Sequence, residues 1–339
     1  MIKKAAIIAY TSEGCLTARR VKALLPDCET QIFSTEKHAS DGVRTIPAES
    51  GFMRSLFETC DALVFVCAAG IAVRKIAPYV KDKKTDPAVI VIDEKGKYVI
   101  SLLSGHIGGA NRLAAKLAAG LGAQAVITTA TDINGRFSVD EWAAERGLII
   151  DDMKMAKKIS AKILEHDISV ECDFPVNGSL AAGLTTERTG TGIYIGYYDK
   201  KPFKNTLRLI PRGLSVGIGC RRGASRDAIK SAVEEVFGER GLDMRAISHI
   251  ASIDLKSQEK GLLDFCEEIG VTPEYYSAEA LAAVAGSTSS SDFVKSVTGV
   301  DNVCERAALC VGDELIVPKT ASGGVTIAVA AVITEVCFE

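Results

Sequence analysis

No G-x-x-x-x-G-K-[ST] loop, no G-x-S-x-G elbow and no H-E-x-x-H pair occurs in the 339 residues of this chain. Those absences argue against P-loop nucleotide chemistry, an elbow-mounted serine nucleophile and zinc-protease catalysis. Ten cysteines are present, but none stands in a C-x-x-C pair and no short Cys/His cluster supplies metal-ligand spacing, so no metal site is expected. Several sit in apolar runs, as Cys67 does in DALVFVCAAG, where a thiol packs as a small hydrophobe, a usage that suits a reducing cytoplasm. A basic excess is missing too. The 40 Lys+Arg face 43 Asp+Glu, a formal net charge of -3, and nucleic acid is therefore not an expected partner. No stretch approaches the roughly 18 uncharged apolar residues of a membrane span. The opening MIKKAAIIAYTSEG has a short apolar run without a convincing cleavage site and reads as a first strand, not a signal peptide.

What is there is an ordinary globular composition, 47% hydrophobic and 24% charged, over a length that suits two or three domains. Short apolar runs alternate with helical patterns: AAIIAY (5–10), a helix near 15–25, DALVFVCAA (61–69), AVIVID (88–93), YVISLL (98–103) and a helix after 107. Such alternation predicts an α/β fold whose N-terminal domain is a parallel sheet covered on both faces. In the last helix Ala110, Leu113, Ala114, Leu117, Ala118 and Leu121 share one face, Gly122 offers a C-cap, and AVI (125–127) resumes as a strand. Between 135 and 212 the pattern predicts a small middle module of helices and a few strands, ending in a linker near 205–213. From 214 a C-terminal α/β domain begins with LSVGIGC and a helix lined by Ile229, Ala232, Val233, Val236 and Phe237. ISHIASID, helices near 258–269, 277–284 and 303–310, and strands near 314–317 and 325–333 complete it. The expected domains are thus 1–134, 135–212 and 213–339. The polar stretch AGSTSSSDFVKSVTG (285–299) reads either as a loop over a ligand or as a solvated connection.

The stretch SGHIGGAN (104–111) lies between a strand and a helix. Ligands of open α/β sheets bind beyond the carboxyl ends of strands, and helix N-termini attract anions. Gly108 and Gly109 would let a ligand approach the backbone closely. His106 could position or deprotonate a water. On the other reading Ser104 and His106 cap the helix and the glycines only shape the turn. ITTATD (127–132) closes the next strand with Thr129 and Asp132, which either bind a polar ligand or satisfy the turn. His106, Ser104 and Asp132 are the catalytic candidates, with Asn111 and Arg112 beside them for binding. Upstream, Gly70 opens a turn at a strand edge and Arg74, on the first helical turn beyond it, could meet a carboxylate, whereas Lys75, Lys81, Lys83 and Lys84 read mostly as a solvated basic face. In the last domain GIGCRRGAS (217–225) is one residue too long for the dinucleotide fingerprint, yet it places Arg221 and Arg222 at a strand edge before a helix capped by Ser225. Lys256 and Glu259 stand at another edge. Glu305 either reaches a ligand or forms a capping box with Asn302.

The long motif GIAVRKIAPYVKDKKTDPAVIVIDEKGKYVISLLSGHIGGANRLAAKLAAGLGAQAVITTATD resembles the N-terminal signature of the CbiG family, the cobalt-precorrin-5A hydrolases of anaerobic cobalamin biosynthesis. GIGCRRG, ASIDLKSQEKGLLDFCEEIG, EYYSAEAL, VCERAALC and VTIAVA are similar to the family's C-terminal domain, which also occurs in CobE proteins. The resemblance covers most of 60–135 and 214–332. It implies a cytoplasmic enzyme that opens the ring A δ-lactone of a cobalt-corrinoid and releases the extruded carbon with its methyl group as acetaldehyde, giving cobalt-precorrin-5B. Cobalt then belongs to the substrate and no cofactor is expected.

That chemistry suits His106 as base, the Gly108 and Gly109 amides for an oxyanion or carboxylate, and Arg74, Arg112, Arg221 and Arg222 for peripheral carboxylates. Gly70, Asn111, Thr129, Lys256 and Glu305 complete the expected binding set, and a cleft between the N- and C-terminal domains would suit a large polyanionic macrocycle. The neighbouring pathway methyltransferases are the protein partners suggested, and oligomeric state is left open. Two other classes stay in view: a non-catalytic corrinoid carrier or channelling protein, and a nicotinamide oxidoreductase using GIGCRRG.

Overall fold

Three runs without a polar face, Ala5–Ala9, Ala62–Val66 and Ala88–Ile92, have no side that water could wet, so they form the doubly covered centre of a sheet. The computed structural model describes residues 2–48, 51–82, 85–106, 108–285 and 302–338, and divides into two units, Met1–Glu145 and Arg146–Glu339. The first unit contains β1 (Lys4–Ala9), α1 (Ser12–Ala23), β2 (Glu29–Ser34), β3 (Val43–Thr45), α2 (Phe52–Thr59), β4 (Ala62–Val66), α3 (Ala69–Ile76) and β5 (Ala88–Ile92). It continues with β6 (Tyr98–Leu103), α4 (Ala110–Leu121), β7 (Gln124–Val126), α5 (Ala130–Ile133) and α6 (Val139–Glu145). The strand order is β3-β2-β1-β4-β5-β6-β7. Alternate residues face two cores. Ile7, Val64 and Ile90 pack on Ala18 and Val21 of α1 and on Leu113 and Leu117 of α4, while Ile8, Phe65 and Val91 pack on Phe57 of α2 and Ile76 of α3. All six apolar positions expected along α4 are buried.

The sheet is not wholly parallel. β6 runs antiparallel to β5, with Val89 opposite Leu103 and Ile92 opposite Val99. A tight turn causes the reversal: the Asp93 carboxylate accepts the N–H groups of Lys95, Lys97 and Tyr98, and Gly96 takes φ +66°. The carboxyl end of β6 therefore lies beside the amino ends of β4 and β5, and β7, parallel to β6, ends at that same edge.

The first unit also runs past the expected boundary at 134. Phe137, Val139, Trp142 and Ala143 are buried, and the rings of Phe137 and Trp142 pack 5.5 Å apart.

The second unit comprises β8 (Ile149–Ile150), α7 (Met153–Lys162), β9 (Ile168–Cys172), β10 (Val176–Asn177), β11 (Leu184–Thr185), β12 (Thr191–Ile195), β13 (Asn205–Ile210), β14 (Leu214–Cys220) and α8 (Arg226–Arg240). There follow β15 (Ile247–Ile253), α9 (Lys260–Ile269), β16 (Pro273–Tyr276), α10 (Ala278–Ala283), α11 (Val303–Leu309), β17 (Glu314–Ser322), β18 (Val325–Ala331) and β19 (Val336–Cys337). Two five-stranded sheets, β11-β9-β12-β13-β8 and β16-β15-β14-β18-β17, and the pair β10-β19 result.

The linker expected near 205–213 is instead mostly strand: β13 pairs with β12 and β8, and Leu207, Leu209 and Ile210 are buried. Its prolines, Pro202 and Pro211, flank the strand and do not interrupt it. Arg208, at the centre of β13, is 5% exposed. Its guanidinium meets Asp243 at 2.6 Å and Asp199 at 2.9 Å, which ties the first of these sheets to the segment after α8. Burial works to raise the Asp243 pKa, but hydrogen bonds from Arg245 and Arg208 outweigh it and hold the carboxyl at about 2. Of the polar stretch 285–299, residues 286–299 lie outside the described residues, as do Lys83 and Lys84.

Candidate functional site

The SGHIGGAN turn is more tightly closed than its glycines suggest. Helix α4 begins at Ala110, not at 107, and its first amides are already taken: Gly109 N–H donates to the His106 carbonyl at 2.8 Å, Ala110 N–H to that of Ser104 at 3.1 Å and Asn111 N–H to that of Gly105 at 3.0 Å. The oxyanion role expected of the Gly109 amide is thus corrected, because that donor is spent inside the turn. Gly108 has a packing reason instead. A Cβ there would overlap the Ser104 side chain and lie 2.7 Å from its carbonyl oxygen. Ser104 takes φ +58°, the only non-glycine residue to do so among the described residues, and its hydroxyl donates to the Asp86 carbonyl at 3.0 Å. It is 8% exposed and braces the turn.

His106 points its Nδ1 edge at the start of α6. Nδ1 lies 3.5 Å from the Asp140 carboxylate and 3.4 Å from the Ser138 hydroxyl, which in turn donates to Asp140 at 3.1 Å. A carboxylate on Nδ1 favours the tautomer whose Nε2 carries the lone pair, the arrangement a general base uses. Sequence reasoning missed Ser138 and Asp140. They lie more than 30 residues beyond His106, in a segment assigned to another domain, and nothing local marks them.

Asn111 is 3% exposed; its carboxamide accepts from Ser101 at 2.7 Å and donates to Thr129 at 3.0 Å. These two expected binding residues are thereby brought together and hold β6, α4 and the end of β7 to one another. Asp132 belongs to α5, and its side chain lies outside the described residues. Arg112 is about half exposed and pairs with Glu145.

A cavity of about 690 Å³ adjoins this turn. Gly108, Gly109 and Arg112 line it together with Arg54, Tyr79, Lys81 and Asp61; His106 and Ser104 are not in its lining. Gly70 and Arg74 are elsewhere. Both lie on α3, which leaves the carboxyl end of β4, whereas His106 stands at the edge where β4 begins. Arg74 sits in the second turn of that helix, not the first, and its guanidinium donates to the Gly70 carbonyl at 2.9 Å. The reversal of β6 separates the two groups that a wholly parallel sheet would have put on one edge.

In the second unit Arg221, Arg222 and Lys256 are brought together. They line a cavity of about 640 Å³ with Ile253, Val303, Val325, Lys319 and the backbone of Gly323 and Gly324. Lys256 pairs with Glu259 at 3.1 Å, and Glu259 also accepts the Gly223 N–H at 3.0 Å. Burial pushes the thiol of Cys220, in the same wall, up from its ordinary value and disfavours a nucleophilic thiolate. The near-fingerprint glycines do not form a dinucleotide turn: Gly217 and Gly219 are inside β14, where Gly217 lets α11 approach so closely that a Cβ would overlap the Cys304 carbonyl. Asn302 caps α11 by accepting the Glu305 N–H at 3.1 Å. Glu305 is fully buried and outside the cavity lining, and its carboxylate accepts the Lys319 backbone N–H at 2.8 Å.

The fold is of the α/β class, with a histidine backed by a carboxylate in one unit and a cation-rimmed cavity in the other. The profile described as "Cobalamin synthesis G N-terminal" matches residues 51–132, and "Cobalamin synthesis G C-terminus" matches residues 214–330. The chain belongs to the cobalamin synthesis G family. A protein of Priestia megaterium named "Cobalt-precorrin-5A hydrolase" is 33% identical over 96% of this chain and 94% of its own length. The protein of that name from Salmonella typhimurium is 34% identical over 89% of this chain and 90% of its own. "Protein CobE" of a Sinorhizobium species is 31% identical over 35% of this chain and 79% of its own length. Among the described residues no helix is long and apolar enough to cross a membrane.

Proposed function

We propose that this chain is a cobalt-precorrin-5A hydrolase: it opens the ring A δ-lactone and releases acetaldehyde, leaving cobalt-precorrin-5B. The observation that carries this reading is the likeness, over nine-tenths or more of their own lengths, to two relatives bearing that name. The cobalt is part of the substrate and no cofactor takes part. The reaction belongs to the cytoplasm.

In this reading His106 is the base. With Nδ1 held by Ser138 and Asp140, Nε2 removes a proton from water as the oxygen attacks the lactone carbonyl, and collapse of the tetrahedral adduct gives a carboxylate and a free hydroxyl. Removing the proton from that hydroxyl converts its C–O bond to the aldehyde carbonyl. The electrons of the breaking C–C bond pass to the macrocycle, which takes up a proton. Arg54 and Lys81 of the first cavity meet substrate carboxylates.

The test is to incubate the purified chain with enzymatically prepared cobalt-precorrin-5A and to follow acetaldehyde together with the corrinoid mass. Release of acetaldehyde with loss of the two-carbon fragment supports the hydrolase. Tight corrinoid binding with neither product would overturn it in favour of the carrier, a reading suggested by the likeness of about a third of the chain to CobE.

A further inference from the structure

We infer that the cavity of the second unit binds a flat, apolar ring through its peripheral carboxylates, and that Glu305 is a positioning residue that sets Lys319 at its rim. The inference rests on the proposed function only for its choice of ligand, a cobalt corrinoid with free carboxylates.

Hydrophobic side chains, Ile253, Val303 and Val325 among them, line the cavity, and four cations, Arg221, Arg222, Lys256 and Lys319, share its lining. Among the described residues no ion pair engages Arg221, Arg222 or Lys319, and only Lys256 is shared, with Glu259. Solvated lysines on an ordinary surface are interspersed with acids. Three cations outside any ion pair among the described residues, around one apolar hollow, instead match a ligand with hydrophobic faces and an anionic edge.

The strand bearing Lys319 is built to present it. Leu315 lies opposite Ala330, Val317 opposite Val329 and Thr320 opposite Ile327, so β17 carries extra residues against β18 on both sides of Val317. The second bulge falls on Pro318 and Lys319. Pro318 has no N–H to lose from the ladder, and the Lys319 N–H turns to the Glu305 carboxylate at 2.8 Å. A fully buried carboxylate is costly unless its oxygens are hydrogen-bonded, and this one is 0% exposed. Glu305 itself is held in place by the first turn of α11, where Asn302 accepts its N–H. The buried acid thus fixes the bulge, and the bulge turns Lys319 toward the same hollow as Arg221.

The full chain is titrated with cobyrinic acid, followed by its visible absorption, and with the same corrinoid after its carboxylates are converted to amides. Lys319→Met should weaken binding of the acid about 10-fold, the scale of one charge-assisted hydrogen bond, and leave binding of the amide unchanged. Glu305→Gln should weaken the acid to a similar or smaller degree. The double variant should bind no worse than Lys319→Met, since Glu305 acts through that lysine; a merely structural Glu305 would add its own loss. If Glu305→Gln does not fold, Lys319→Met and Arg221→Ala decide the matter alone. Unchanged affinity for the acid in both, or no binding by the unaltered chain, overturns the inference. Acetaldehyde release is measured on the same preparations. Release with unaltered affinities refutes this site and leaves the hydrolase standing, whereas selective loss of affinity without any acetaldehyde does the reverse.

Discussion

Two turns in this molecule share one theme, a strand, glycines and a helix, and use it in opposite ways. In SGHIGGAN the loop carbonyls of Ser104, Gly105 and His106 take the amides that open α4, and Gly108 is glycine because Ser104 is pressed against it. In GIGCRRGAS the helix α8 is capped by a side chain, Ser225, which accepts the Ala228 N–H at 3.2 Å, and Gly223 has nothing within 4 Å of its missing Cβ. The first is a closed knot whose chemistry is carried by the side chains it holds out. The second is held by side chains, Glu259 taking the Gly223 N–H, and it leaves two arginines in the lining of a cavity. A glycine-rich start to a helix is therefore not in itself an anion cradle; the free amides have to be counted first.

The sharpest way to break this comparison is at His106. His106→Ala should lower acetaldehyde formation by roughly 10²- to 10⁴-fold with little change in thermal stability, and Asp140→Asn should lower it less while shifting the pH profile. Full activity in His106→Ala would leave the closed turn with a structural role only. Next comes the packing itself. Gly108→Ala should destabilise the first unit by about 1–3 kcal/mol, measured by urea unfolding, through overlap with Ser104. A variant as stable as the parent would mean that the turn opens easily.

At the second turn the effects are smaller. Ser225→Ala removes one cap and should cost about 1 kcal/mol, with corrinoid affinity retained. Smallest is the response to acid of Glu259. The Gly223 N–H, then Lys256, hold its pKa below the ordinary glutamate value against the opposing effect of burial. A depressed carboxylate stabilises the fold above its unfolded value, about 4.3, and loses that contribution as pH falls through the lower folded one. The Gly223 amide resonance should move over that acid range in the parent and stay still in Glu259→Gln.

Much of the fold could be read from residue patterns because burial leaves a periodic trace. Unbroken apolar runs marked β1, β4 and β5, the spacing from Ala110 to Leu121 marked α4, and Ser225 and Asn302 marked two helix starts. Where a single contact overrides a pattern, reading stopped. Asp93 and Gly96 reverse β6, and that reversal moves His106 to the edge opposite Gly70 and Arg74. Prolines beside β13 resemble a linker until Arg208 is seen buried against Asp243. Asp140 and Lys319 enter their sites through tertiary packing, one in a short helix and one at a bulge, and neither position has a local sequence signal.

The Asp93 turn also bears on the order in which the chain folds. β5 and β6 are joined by the short turn between Ile92 and Tyr98, whereas β1 reaches β2 across the separation between Lys4 and Glu29 and β4 across that between Ala5 and Ala62. Local pairings close sooner than distant ones, since less chain entropy is lost in forming them. The β5–β6 hairpin, beyond whose end His106 stands, should thus form before the pairings of β1. Pulse-labelled hydrogen exchange should find the amides of β6 protected before those of β1, and protection in the reverse order would show that the distant pairing nucleates the sheet.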